Sequence, residues 1–207
     1  RTLFKSKSTL QSLATACLGL GLVTAQIGFS QDAATESAAS DWVAASLCAE
    51  DSRAVDLQQA PSFTFTSADG NNPRHLDSAT AGLTTDDMAS LELAWAIAFP
   101  DTSSMRAAPV ILGDTLFYSA TDAGRVFALD TRSGCAKWVY EAGTRLRSSL
   151  AYSVEDDRGT LVFGDQRGMI HSLNAADGSA NWVVSGQATD NQAMITGTPV
   201  IHDDKII

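Results

Sequence analysis

The same phrase is written twice in this chain, 44 positions apart. Gly124-Arg-Val-Phe-Ala-Leu-Asp130-Thr-Arg-Ser-Gly134-Cys-Ala-Lys-Trp138 returns as Gly168-Met-Ile-His-Ser-Leu-Asn174-Ala-Ala-Asp-Gly178-Ser-Ala-Asn-Trp182. A worn earlier copy ends at Trp95, 43 residues before Trp138. A period of this length marks a repeat architecture, in which each unit buries its apolar face only against its neighbours.

Between the tryptophans, short apolar runs alternate with turn residues. The pattern predicts strands near 109–112, 115–120, 125–129 and 136–141, repeated 44 residues later. Four short strands separated by frequent turns form an all-β unit. Asp130 and Asn174 open turns in which a short polar side chain can bond the backbone two residues on. Gly134 and Gly178 close them, where positive φ costs glycine nothing. Four antiparallel strands per unit of roughly 40–45 residues is the size of a β-propeller blade. Trp138 and Trp182 admit two readings, as ordinary core residues or as the residues that dock one blade on the next.

The phrase resembles the tryptophan-docked repeat of pyrroloquinoline quinone (PQQ) enzymes, Gly-x-Val-x-Ala-Leu-Asp-x-x-Thr-Gly-x-x-x-Trp. The first copy departs from it at Ser133, the second at Ser172, Asn174 and Asp177. Asn72-Pro-Arg74, Ala81-Gly-Leu-Thr84, Leu91-Glu-Leu-Ala-Trp95-Ala-Ile-Ala-Phe99-Pro100 and Arg106-Ala-Ala-Pro109 follow in order. This succession is similar to the propeller entrance of polyvinyl-alcohol dehydrogenases. The resemblance covers about residues 70–207. It implies an all-β propeller of PQQ-type tryptophan-docked repeats, with two to three blades present and the ring incomplete. The segment 198–207 parallels 108–117, with Pro199 in the place of Pro109, so the sequence is expected to be a fragment that stops inside its third repeat.

The amino-terminal 25 residues read as a cleavable export leader. Arg1, Lys5 and Lys7 precede an apolar stretch over 10–23, and Val23-Thr-Ala25 offers a small-residue cleavage site. The stretch is short for a stable membrane span. A periplasmic or secreted location follows as an expectation. Three of the 14 basic residues lie in the leader, leaving 11 against 24 acidic residues and a formal charge of −13. Such a balance argues against nucleic acid as a partner. Residues 26–70 are rich in Ala, Ser and Asp, with a short helix expected within 41–50 and linker around it. Beyond the leader stand Cys48 and Cys135, which an exported compartment permits to pair or to remain separate.

The resemblance also places candidate chemistry. The segments just before the inner strands project toward the propeller axis. They are Ser104-Met-Arg106-Ala-Ala-Pro109, Thr144-Arg-Leu-Arg147-Ser-Ser149 and Met194-Ile-Thr196-Gly-Thr198. PQQ carries three carboxylates. A guanidinium fork meets a carboxylate with two parallel hydrogen bonds and keeps its charge when desolvated. Arg106, Arg147, Thr196 and Thr198 are therefore the candidate cofactor-binding residues, while Arg145 reads as a solvated charge.

A catalytic carboxylate base and the oxygen ligands for Ca²⁺ are expected outside this chain. Asp156-Asp157 and Asp203-Asp204 read as solvated turn residues, and the three histidines show no metal spacing. His171 alternates with apolar neighbours and is expected to be partly buried. Cys48 has no second Cys or following His near it, which puts covalent haem in this chain in doubt. The implied activity is oxidation of alcohols, with polyvinyl alcohol or similar secondary alcohols favoured and a cytochrome c as an electron acceptor. The alternative is a non-catalytic propeller serving as a protein-interaction scaffold. The isolated chain is expected to be inactive.

Overall fold

The structure is a computed structural model that describes residues 42–63, 77–100, 102–155, 157–186, 192–202 and 205–207. The expected leader, the motif Asn72-Pro-Arg74, and Asp156, Asp203 and Asp204 lie outside the described residues.

The repeat folds as the sequence predicts. The first sheet runs β1 (Pro61–Phe63), β2 (Val110–Leu112), β3 (Thr115–Ala120), β4 (Arg125–Asp130) and β5 (Ala136–Glu141), in that spatial order and antiparallel throughout. The second sheet runs β6 (Ala151–Glu155), β7 (Arg158–Gly164), β8 (Met169–Asn174) and β9 (Ala180–Ser185), again in chain order. A third, two-stranded sheet pairs β10 (Ile201–His202) with β11 (Lys205–Ile206). These are successive blades of a propeller whose ring is not closed.

Each blade packs on the next through one face. From the first blade, Val110, Phe117, Val126, Ala128 and Trp138 point into a buried cluster, and Leu161, Phe163 and Leu173 meet them from the second. The alternating direction of strand side chains makes this economical, because each sheet can present one apolar set to each neighbour.

The tryptophans dock the blades. Trp138 Nε1 donates to the Ala175 carbonyl at 3.1 Å, across the interface. Trp95 Nε1 donates to the Thr131 carbonyl at 2.9 Å, the position 44 residues earlier. Each indole lies on the glycine that closes the next turn. A Cβ on Gly134 would come within 2.6 Å of the Trp95 ring, and one on Gly178 within 2.5 Å of the Trp138 ring. Both glycines also hold φ near +74°. Turn geometry and ring contact therefore demand glycine twice over. The worn copy forms no strand, yet Trp95, Ile97 and Phe99 still alternate inward against the first sheet.

The short helix expected within 41–50 is present, while the residues that follow it, up to 63, differ from the linker their composition suggests. A helical turn over 42–46 places Trp42 edge-on to Phe99 and Phe127, both at 6.0 Å. Leu47 then bridges Ala136 on the outer strand, and Cys48 bonds Cys135 as a disulfide. The buried Lys137 ammonium donates to the Ala54 carbonyl, Asp114 Oδ1 and Thr115 Oγ1 at 2.7–2.9 Å. Val55 and Leu57 join the inter-blade cluster, and β1 pairs with the inner strand β2. The segment is a strap that covers both edges of the first sheet, where unpaired strand groups would otherwise face solvent. Low-complexity composition hides it, because a few well-spaced apolar residues and one cysteine do the anchoring.

Candidate cofactor-facing rim

The segments that precede the inner strands lie side by side at one rim of the blades. The Ala108 N–H donates to Ser149 Oγ at 2.8 Å, and the Ser149 N–H donates to Thr198 Oγ1 at 3.2 Å. Residues 108, 149 and 198 each stand two places after a candidate, namely Arg106, Arg147 and Thr196. The same hydrogen bond, repeated from blade to blade, therefore sets the three candidates in succession around the rim. Thr198 contributes its hydroxyl as the acceptor of one of these bonds, and Thr196 is exposed.

The two candidate arginines differ. Arg106 is exposed, and its Nε donates to Ser104 Oγ at 2.8 Å. Arg147 is half-buried, and its Nε is buried with no hydrogen-bond partner. An unpaired buried guanidinium N–H is costly unless an acceptor reaches it. It fits an anionic group such as a PQQ carboxylate. Among the described residues, no group of three or more His, Cys, Asp or Glu side chains is gathered as a metal site would require.

Arg145 forms an ion pair with Asp122. Asp122 is the knot of this rim. Its carboxylate also accepts from the Ser103 N–H at 3.0 Å, the Ser103 hydroxyl at 3.1 Å and the Ser104 N–H at 3.1 Å. The Ser103 N–H, with Arg145 and the Ser103 hydroxyl behind it, holds the Asp122 carboxyl below the usual carboxylate range. Thr121 adds its hydroxyl as acceptor for the Arg106 N–H at 3.3 Å and its carbonyl for the Leu146 N–H at 2.9 Å. The β3–β4 turn thus carries both the Arg106 and the Arg145–Arg147 segments.

A family model described as "Outer membrane protein assembly factor BamB", of the PQQ-repeat type, matches residues 76–207. The chain belongs to this PQQ-repeat family. Within it, the chain is 30% identical to a polyvinylalcohol dehydrogenase of Pseudomonas sp. over 132 residues, covering 60% of this chain and 20% of that protein. It is 29% identical to quinohemoprotein alcohol dehydrogenase ADH IIB of Pseudomonas putida over 209 residues, covering 95% of this chain and 26% of the relative. The chain therefore spans between 20% and 26% of the length of these relatives. The solved quinohemoprotein alcohol dehydrogenase of Comamonas testosteroni aligns with a TM-score of 0.57 at 22% identity, over 81% of this chain and 26% of that one. That likeness is one of fold.

Sequence reasoning missed one polar group beneath the rim. Tyr140, His171 and Asp165 form a hydrogen-bonded chain across the interface between the first and second blades. His171 is buried to 3% exposure, more deeply than its alternation with apolar neighbours suggested, and its ring stacks on Phe163 with centroids 4.7 Å apart. The available signal was the repeat itself. His171 stands 44 residues after Phe127, so a polar ring fills the place of an apolar one.

A cavity of about 510 Å³ lies between the second sheet and the β10–β11 hairpin, lined by Ser153, Thr160, Ser172, Asn181 and Trp182 among others. It contains none of the rim arginines and belongs to the packing of successive blades.

Proposed function

We propose that this chain is part of an exported quinoprotein dehydrogenase in which Arg147, with Arg106, holds carboxylates of PQQ. The observation that carries the reading is the buried, unpartnered Nε of Arg147 at the rim where the inner strands begin. Thr196 supplies an exposed hydroxyl on the next segment of the same rim. When bound, PQQ accepts a hydride from an alcohol carbon. This chain binds and orients it, while the general base and the oxygen ligands for Ca²⁺ come from parts of the protein outside this sequence. Alcohols are the substrate class, with polyvinyl alcohol or similar secondary alcohols favoured by the resemblance to polyvinylalcohol dehydrogenases. A cytochrome c is the proposed electron acceptor. The leader over 1–25 directs the protein to the periplasm or beyond.

A second reading is a non-catalytic propeller that acts as a protein-interaction scaffold. The description of the matching family model, an assembly factor, favours it. Titration of the full-length apo-protein with PQQ and Ca²⁺, followed by dye-linked oxidation of a secondary alcohol, separates the two. Saturable PQQ binding with turnover supports the dehydrogenase. Absence of PQQ binding contradicts it and leaves the scaffold.

A further inference from the structure

We propose that the buried chain Tyr140–His171–Asp165 is a positioning device that fixes the rim segments carrying Arg147 and Thr196. The inference rests on the reading of that rim as a cofactor wall.

Asp165 is the junction. Its Oδ2 lies 3.0 Å from His171 Nε2, and its Oδ1 accepts the N–H groups of Arg167 and Met169 at 2.8 and 2.9 Å. These contacts leave the side chain little freedom. Its backbone reaches the rim twice. Asp165 bridges Leu146, the neighbour of Arg147, and its carbonyl accepts the N–H of Ile195, the neighbour of Thr196, at 3.0 Å. Gln166 N–H donates to the Arg145 carbonyl at 3.2 Å, adding a third link. The position of one residue thus sets both segments.

His171 ties that junction to the first blade. A carboxylate only accepts, so in the neutral ring Nε2 carries the hydrogen and Nδ1 accepts from the Tyr140 hydroxyl, 3.0 Å away. Tyr140 lies on β5, two places after the docking Trp138. Its hydroxyl is held above its ordinary pKa by burial and by the Asp165 charge, so it remains a donor.

The preceding interface shows that blade docking needs no such group. Two places after Trp95 stands Ile97. Phe127 occupies the place of His171. Ala120, which follows the pair Ser119↔Val126 as Asp165 follows Gly164↔Ile170, occupies the place of Asp165. All three are apolar, and they belong to one cluster. A fully satisfied buried polar chain specifies one arrangement more sharply than an apolar contact. It appears where the Arg147 and Thr196 segments are attached.

The test uses amide hydrogen exchange and PQQ titration on the full-length protein. His171→Phe leaves the Asp165 carboxylate and the Tyr140 hydroxyl without their ring partner. The expected result is exchange faster by about tenfold or more at Gln166 and Ile195, with β3 and β4 amides unchanged. PQQ affinity falls by about tenfold or more alongside. His171→Gln, whose amide can still donate to Asp165, restores most of both. Unchanged exchange at Gln166 and Ile195 in His171→Phe overturns the proposal. Equal acceleration throughout both sheets, or His171→Gln as damaging as His171→Phe, overturns it too, because the group is then only part of the core. A parent protein that binds no PQQ defeats the cofactor reading instead, while the exchange pattern still decides whether the chain positions the rim. If His171→Phe does not fold, Tyr140→Phe, which removes a single hydroxyl, is read by the same exchange criteria.

Discussion

Two interfaces flank the first blade, and they are built on the same tryptophan geometry but differ at three equivalent places. On one side, Trp95 lies on Gly134, and Ile97, Phe99, Trp42 and Phe127 fill the space below. On the other, Trp138 lies on Gly178, and Tyr140, His171 and Asp165 take the equivalent places. The indole and its glycine are thus the generic joint of the repeat. What lies beneath is adapted to local need. The strap packs into both, while only the interface with the second blade adds directional hydrogen bonds that reach the rim.

The largest expected effect tests the joint. Trp138 is 7% exposed, and Trp138→Ala should destabilise the protein by about 3–5 kcal/mol in denaturant unfolding. Trp182, 38% exposed on β9, should cost this chain about 0.5 kcal/mol or less when truncated. Equal losses at the two sites would mean that the indole stabilises its own sheet rather than the joint. The disulfide comes next. Cys48 and Cys135 are 87 residues apart, and replacing both by Ser should cost about 2–4 kcal/mol. Proteolysis should then cut first within the strap over 42–63, leaving the second blade intact. Gly178→Ala follows. Its φ of +74° costs a side chain about 1–2 kcal/mol, and the Trp138 ring must move as well. A blue-to-red shift of the indole emission should accompany the loss.

The smallest effect concerns acid. The folded-state pKa of Asp122 is depressed, so its contribution is present at neutral pH. It is lost as pH falls below the ordinary carboxylate value of about 4 and through the folded value. Asp122→Asn should flatten the decline in stability over that range and speed exchange at Ser103 and Ser104. An unchanged acid profile in Asp122→Asn would remove Asp122 from the rim's support.

The sequence made the blades legible because the residues that build them recur at a fixed offset. Gly134 and Gly178, Trp138 and Trp182, and the strand alternation between them all follow from one repeat. The strap was legible only as a short helix and a permitted cysteine pair, since Leu47, Cys48, Val55 and Leu57 act through contacts with strands some 80–100 residues away and carry no periodicity. The rim was half legible. The two arginines could be placed before inner strands, but nothing in the text distinguishes Arg106, whose Nε is satisfied by Ser104, from Arg147, whose Nε is not. The Tyr140–His171–Asp165 chain was hidden for a different reason. It joins residues from two copies of the repeat, and only the register of the folded sheets shows that a polar set has replaced Ile97, Phe127 and Ala120.

The central claim is that Arg147 faces an anionic cofactor, and PQQ titration of Arg147 variants in the full-length apo-protein tests it most directly. Loss of a charge-assisted pair is worth roughly 1.5–3 kcal/mol, so Arg147→Ala should weaken PQQ binding by about ten- to hundredfold. Arg147→Lys should recover only part, because an ammonium cannot make the two-pronged contact. Arg125→Ala, which removes a guanidinium already paired with Glu141, should titrate like the parent. If Arg147→Ala also titrates like the parent, the unpartnered Nε of Arg147 does not meet PQQ, and the cofactor wall is not here.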